Sequence, residues 1–187
     1  LVVTRPAHSK RSALLQDLSY RYDPVGNILA IEDAAQPVRH HQNQRIVPLS
    51  QYEYDALYQL LSASGRENAD AGQQGPALPP PEVPLSQDPN RYSNYTRSYH
   101  YDRGGNLTQI RHQGRQSYSL ELVVAPTSNR AIQQTGFLTP ADVDGHFDAC
   151  GNLRQLAPGQ PLSWDSRNQL QQVSLVQRDT APDDAEW

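Results

Sequence analysis

Short runs in which aromatic and polar residues alternate recur along the chain: Tyr20-Arg21-Tyr22, Tyr52-Glu53-Tyr54 and Tyr99-His100-Tyr101. Period-two alternation is the mark of a strand with one face buried. Each run is followed at once by an aspartate, a few turn-forming residues, an amide and an aliphatic, as in YHYDRGGNLTQI from Tyr99 to Ile110. The pattern predicts strand, tight turn, strand.

The unit is written five times. YRYDPVGNILAI (Tyr20 to Ile31) and YEYDALYQLLSA (Tyr52 to Ala63) match the quoted stretch closely, and HFDACGNLRQL (His146 to Leu156) and SWDSRNQLQQV (Ser163 to Val173) are looser copies. Aligned on Asp23, Asp55, Asp102, Asp148 and Asp165, every copy has an aromatic just before the acid: Tyr22, Tyr54, Tyr101, Phe147 and Trp164. Four residues after the acid stands an amide (Asn27, Gln59, Asn106, Asn152, Gln169), followed by an aliphatic (Ile28, Leu60, Leu107, Leu153, Leu170). A second apolar position closes each copy at Ile31, Ala63, Ile110, Leu156 and Val173. Self-similarity of this kind identifies a repeat protein.

Local chemistry explains the order. An Asp side chain accepts a hydrogen bond from the backbone two residues on and so starts a turn. Gly26, Gly105 and Gly151 then supply a positive φ without steric cost. Asn168 tolerates that region, whereas Tyr58 predicts a turn of another type in the second copy. The two apolar positions of each copy lie three apart, which strict alternation places on opposite faces. Either a bulge intervenes or both faces are partly buried, and a short helical turn is the remaining alternative. The spacing between successive aspartates varies widely, from Asp55 to Asp102 on one side to Asp148 to Asp165 on the other. A solenoid of identical units keeps one period; a hairpin core with variable connections fits a long sheet winding on itself. The fold expected is all-β, built of antiparallel hairpin repeats forming part of a coiled β-shell. Hairpins 1 and 2 occupy residues 1–63, a Pro/Gln/Gly-rich excursion residues 64–98, hairpins 3 to 5 residues 99–176, and an acidic link residues 177–187.

Composition alters this picture little. Hydrophobic residues are 36% of the 187, against roughly 45–50% in typical domains, so the core is expected to be modest. Tyr at 10 against Phe at 2 means that much of the buried aromatic area carries a hydroxyl in need of a partner. A net charge of −4, with dispersed basic residues, argues against nucleic acid as a partner. No run of about 20 apolar residues is present to span a membrane. The opening LVVTRPAHSK and the absence of Met suggest a piece of a longer protein, without a visible signal peptide.

Candidate chemistry is thin. Cys150 is the single cysteine and sits in a repeat turn, where a general base would have to come from elsewhere, so it is read as a bystander rather than a nucleophile. His40 and His41 are adjacent, so a strand points them to opposite faces, as surface histidines rather than joint metal ligands. The repeat aspartates each stand alone, without the neighbouring carboxylates a hard cation needs. No serine lies in a nucleophile-elbow motif, and no cofactor motif is present.

Aromatic-Asp followed by Gly-Asn-Leu resembles the signature of YD or RHS repeats, known from bacterial toxin shells, contact-dependent toxins and animal teneurins. The longer phrases LQDLSYRYDPVGNI, YEYDALYQLLSASGRE, YSNYTRSYHYDRGGNLTQIRH and RDTAPDDAEW look like the C component of the three-part Tc (ABC) insecticidal toxin complexes. That resemblance implies a hollow β-shell made by the B and C components around a toxic polypeptide. It implies a cargo freed by an aspartyl autoprotease downstream of the repeats, a secreted assembly, and as partners the rest of the chain and the B component. Asp23-Pro24-Val25-Gly26 imitates the family's D-P-x-G-L protease motif, but Asn27 replaces the Leu, and no catalysis is assigned to it. The expected function is therefore that of an encapsulating wall rather than an enzyme. A surface binding or adhesion module of a teneurin-like or contact-dependent RHS protein is the alternative. Open strand edges predict that the isolated piece self-associates by edge pairing.

Overall fold

The computed structural model describes residues 1–6, 12–68, 92–157 and 159–174. The middle of the predicted excursion and the acidic link at 177–187 lie outside the described residues. Thirteen strands follow in chain order: β1 (Val2–Thr4), β2 (Leu14–Tyr22), β3 (Ile28–Asp33), β4 (Arg39–His41), β5 (Gln44–Ile46), β6 (Leu49–Tyr54), β7 (Leu60–Asn68), β8 (Tyr92–Tyr101), β9 (Leu107–Gln113), β10 (Tyr118–Val124), β11 (Ala131–Gln133), β12 (Leu162–Trp164) and β13 (Leu170–Val173). The chain divides into two compact units, Leu1–Glu121 and Leu122–Trp187.

The first unit is one antiparallel sheet in the order β1-β2-β3-β6-β7-β8-β9-β10. Its repeats are the hairpins β2–β3, β6–β7 and β8–β9. Each is broken by a single bulge at the same place. Tyr22 pairs with Ile28 while Arg21 pairs with Ala30, which leaves Leu29 as the extra residue. Leu61 and Thr108 are the extra residues of the next two hairpins. The bulge settles the spacing of the two apolar positions: Ile28 opposes Tyr22 and Ile31 opposes Tyr20, so both lie on the aromatic face.

β7 runs on to Asn68 and β8 begins at Tyr92, so both ends of the span 64–98 are paired strand, with Asn68 opposite Tyr92. A separate hairpin, β4–β5, turns through Gln42 and Asn43 at positive φ (49° and 61°). Type I′ geometry needs positive φ at both central residues, and Asn accepts it readily. Asn94 in β8 ties this hairpin down by donating from its side-chain amide to the Arg45 carbonyl at 3.2 Å. Ile46 is wholly buried beside it. His40 is exposed as expected. His41 is half-buried, with its Nε2 out of water, because the hairpin lies against β8 rather than standing free.

In the second unit the end of β10 pairs with β11, and β12 pairs with β13 as the fifth repeat hairpin. The same bulge recurs there, with Gln171 as the extra residue. A 3₁₀ helix, Pro140–His146, precedes the fourth copy. Pro140 suits its first turn, since a proline there forfeits no intrahelical bond. The Thr139 backbone N–H donates to Asp142 Oδ2 at 2.9 Å, and Val143 is fully buried. The fourth copy departs from the hairpin expected. Its strands shrink to one bridge, Phe147 with Leu153, because the helix takes up the chain where the first strand of the other copies runs.

Candidate functional site

The five repeat turns share one hydrogen-bonded geometry. In all five, Asp Oδ1 accepts from the backbone N–H two residues on and from that of the amide residue four on. For Asp102 these are Gly104 N at 2.8 Å and Asn106 N at 2.9 Å; for Asp165 they are Arg167 N at 2.8 Å and Gln169 N at 2.9 Å. The Asp backbone N–H in turn donates to the amide residue's carbonyl, at 2.9 Å from Asp23 to Asn27. Where that residue is Asn, its side chain adds a bond to Asp Oδ2: 2.8 Å in Asn27, 2.9 Å in Asn106 and 3.0 Å in Asn152. Gln is one methylene longer and uses its amide elsewhere, Gln59 Nε2 donating to the Gly105 carbonyl at 3.4 Å.

These contacts depress the acids of the three Asn-containing turns. The side-chain amide of Asn106, followed by its backbone N–H, holds the Asp102 carboxyl below its ordinary value. For Asp148 the Asn152 backbone N–H leads and its side chain follows. At Asp23 desolvation pulls upward, and the bonds from Asn27, Val25 and Gly26 outweigh it.

The second copy corrects the expectation made for it. Tyr58 takes φ 64°, beside Gly26 at 99°, Gly105 at 82°, Gly151 at 89° and Asn168 at 60°. Its turn has the same bonds as the others, Leu57 N and Gln59 N reaching Asp55 Oδ1 at 2.8 and 2.9 Å. The Asp55 cage imposes the turn on a residue that resists it.

Three of the five aromatics before the Asp have a role that the local pattern does not show. Tyr54 Oη donates to the Ile28 carbonyl at 3.0 Å, Tyr101 Oη to the Leu60 carbonyl at 3.0 Å, and Trp164 Nε1 to the Leu153 carbonyl at 2.7 Å. In every case the acceptor is the first aliphatic of the preceding repeat, and Ile28 and Leu60 stand next to a bulge. Burial, reinforced by the charges of Tyr99 and Asp55, raises the Tyr101 hydroxyl above its ordinary value, so it remains a donor. Phe147 carries no donor, and the Arg130 guanidinium lies over its ring at 5.4 Å. Tyr22 belongs to the first copy and is 57% exposed. Cys150 is exposed, and its backbone N–H serves Asp148 Oδ1. No cluster of three or more metal-ligating side chains occurs among the described residues.

The chain has counterparts among known proteins. The toxin subunit YenC2 of Yersinia entomophaga is 48% identical over 182 residues, which is 96% of this chain. YenC1 of the same organism is 46% identical over 97% of the chain. The chain is a TccC-like YD/RHS-repeat protein. The family model for the tripartite Tc toxins repeat matches residues 115–159. The crystal structure of TcdB2–TccC3 superposes on 99% of this chain with a TM-score of 0.78 and 46% identity. This YD/RHS-repeat chain spans 19% of the length of the Yersinia subunits and 9% of the solved chain. Its sheet is of the kind found in the Tc toxin shell, and the Tc-like phrases lie within a match that runs nearly end to end.

Proposed function

We propose that this chain is a stretch of the wall of a hollow YD/RHS-repeat shell that encloses the polypeptide cargo of a Tc toxin complex. The observation that carries the reading is the stitch from Tyr54, Tyr101 and Trp164 to a carbonyl of the preceding repeat. A unit whose distinctive bond goes to its neighbour, with its turn bonds kept to itself, is built for extension into a long sheet. The likeness to Tc components along nearly the whole chain favours a wall over an adhesion module. The signature residues act as structure in this reading, since their polar groups are spent on turns and stitches, and the segment performs no catalysis of its own.

The partners proposed are the remainder of the parent chain, with its autoprotease and cargo, and the B component, as in the TcdB2–TccC3 complexes that the fold resembles. The edge proposed for a preceding hairpin is the far end of β2. β1 covers β2 only as far as Leu18, through Leu18 N to the Leu1 carbonyl at 2.8 Å. Ser19 to Tyr22 lie beyond it, exposed. Tyr22 stands where the other signature aromatics find a carbonyl, ready for one from a preceding hairpin. The assembly is secreted.

The test is the intact mass of the purified full-length parent. Two co-eluting fragments that become one chain when the downstream protease Asp is changed to Ala support a self-cleaving cocoon. A single uncleaved chain in the unaltered parent refutes it.

A further inference from the structure

We propose that His112 is a proton-operated clasp across four neighbouring strands, exchanging its hold on Arg97 as the imidazole gains a proton. His112, in β9, is only 2% exposed, yet both ring nitrogens have charged partners. Nε2 lies 2.9 Å from Glu67 Oε2 of β7. Arg97 Nε, from β8 and directly opposite in register, donates to Nδ1 at 3.1 Å. A guanidinium N–H can only donate, so Nδ1 offers its lone pair and the ring proton sits on Nε2, given to Glu67.

The surroundings are built around this ring. Tyr95 of β8 and Tyr118 of β10 stack on its two faces at centroid distances of 5.4 and 4.9 Å. Glu67 Oε1 also accepts the Arg115 backbone N–H at 3.3 Å. A Cβ at Gly114 would collide with Glu67 Oε1 and crowd His112 Nε2, so only glycine leaves the pair its space.

A second proton on the imidazole goes to Nδ1 and turns that acceptor into a donor facing the donor of a cation. The Glu67 carboxylate and the two aromatic faces favour the imidazolium, while Arg97 and the burial of the ring oppose it. Protonation therefore keeps the bond from β9 to β7 and releases the bond from β9 to β8. Arg97 has a seat to move to, because its guanidinium already lies over the Tyr95 ring at 5.4 Å. The device belongs to the strand seam itself and stands apart from the shell reading.

The experiment follows the Arg97 Nε–H resonance of the isotope-labelled chain during a pH titration, with exposed Arg103 as the reference for intrinsic exchange. The expected result is slow solvent exchange while His112 is neutral, and loss of that protection as the His112 ring resonances titrate. His112→Asn, which keeps an acceptor but cannot be protonated, is expected to abolish the pH response. Glu67→Gln, which removes the anion favouring the imidazolium, is expected to move the release to more acid pH. Protection of Arg97 that persists through the titration overturns the proposal. So does an unchanged response in His112→Asn, or, should that variant fail to fold, an unshifted release in Glu67→Gln.

Discussion

Tyr58 shows how far a side-chain cage can override backbone preference. A left-handed conformation costs a non-glycine residue roughly 1–2 kcal/mol, and yet Tyr58 holds it at φ 64°. Replacing it by glycine removes that cost and adds the ordinary entropic penalty of about 0.5–1 kcal/mol. Tyr58→Gly is therefore expected to stabilise the chain by up to about 1.5 kcal/mol, read as a higher urea midpoint. The acids of the Asn-containing turns make a second prediction. Asp23, Asp102 and Asp148 have folded-state values below their ordinary ones, so the unfolded chain binds their protons first as pH falls. Their contribution is complete at neutral pH and disappears as pH drops below the ordinary carboxylate range through the folded values. Asn106→Ala should flatten that acid limb in urea melts taken across pH, because the leading cause of the Asp102 shift is the Asn106 side chain. These turns were legible from sequence, since an Asp, a positive-φ residue and an amide act over a few residues. Tyr58 was not, because propensity is a statement about a residue alone and the Asp55 cage is a statement about five.

At the scale of the hairpin, the bulge and the stitch work together. One extra residue after the first aliphatic brings both apolar positions onto the aromatic face. Register then matters throughout, because a slip of one residue sends every following side chain to the opposite face. Tyr101→Phe keeps the ring and its packing and deletes only the donor to the Leu60 carbonyl. It should cost about 1 kcal/mol, the usual net worth of a hydrogen bond, with the loss showing as faster amide exchange in β7 and β8. The same change at Tyr22 should cost little in the isolated chain, where no acceptor is within its reach among the described residues. The sequence disclosed which residues recur but not whom they touch: Tyr54 and Ile28 belong to different copies, and a repeat alignment compares positions without pairing them. The elements lacking the signature, β1, β4–β5, β11 and the 3₁₀ helix, left no periodic trace in so few residues. The fourth copy kept its Asp148 turn and lost its strands, because the turn is local chemistry and the strands need neighbours.

For the molecule as a whole, the buried apolar residues are few and small among those described: Ala30, Ile46, Ala63, Leu120, Ala125 and Val143. The sheet is held more by ladders, turns and stitches than by a thick core. Exposed apolar side chains, Leu1, Val2 and Val3 among them, line β1 at one end. An uncovered edge strand is a template for another chain. Sedimentation of the isolated chain is expected to show concentration-dependent association, diminished when Val2, whose N–H points away from β2, is replaced by proline; a monodisperse monomer at high concentration contradicts it. His112 and its partners escaped the sequence because Glu67, Arg97 and Tyr118 converge only once four strands are in register. The stitches, finally, all point one way, from the aromatic of a later hairpin to a carbonyl of an earlier one. A ribosome releases the chain from its N-terminus at roughly 5–20 residues per second. Each acceptor is thus already in place when its donor emerges, and synthesis itself can close the seam, with no hairpin waiting for one not yet made.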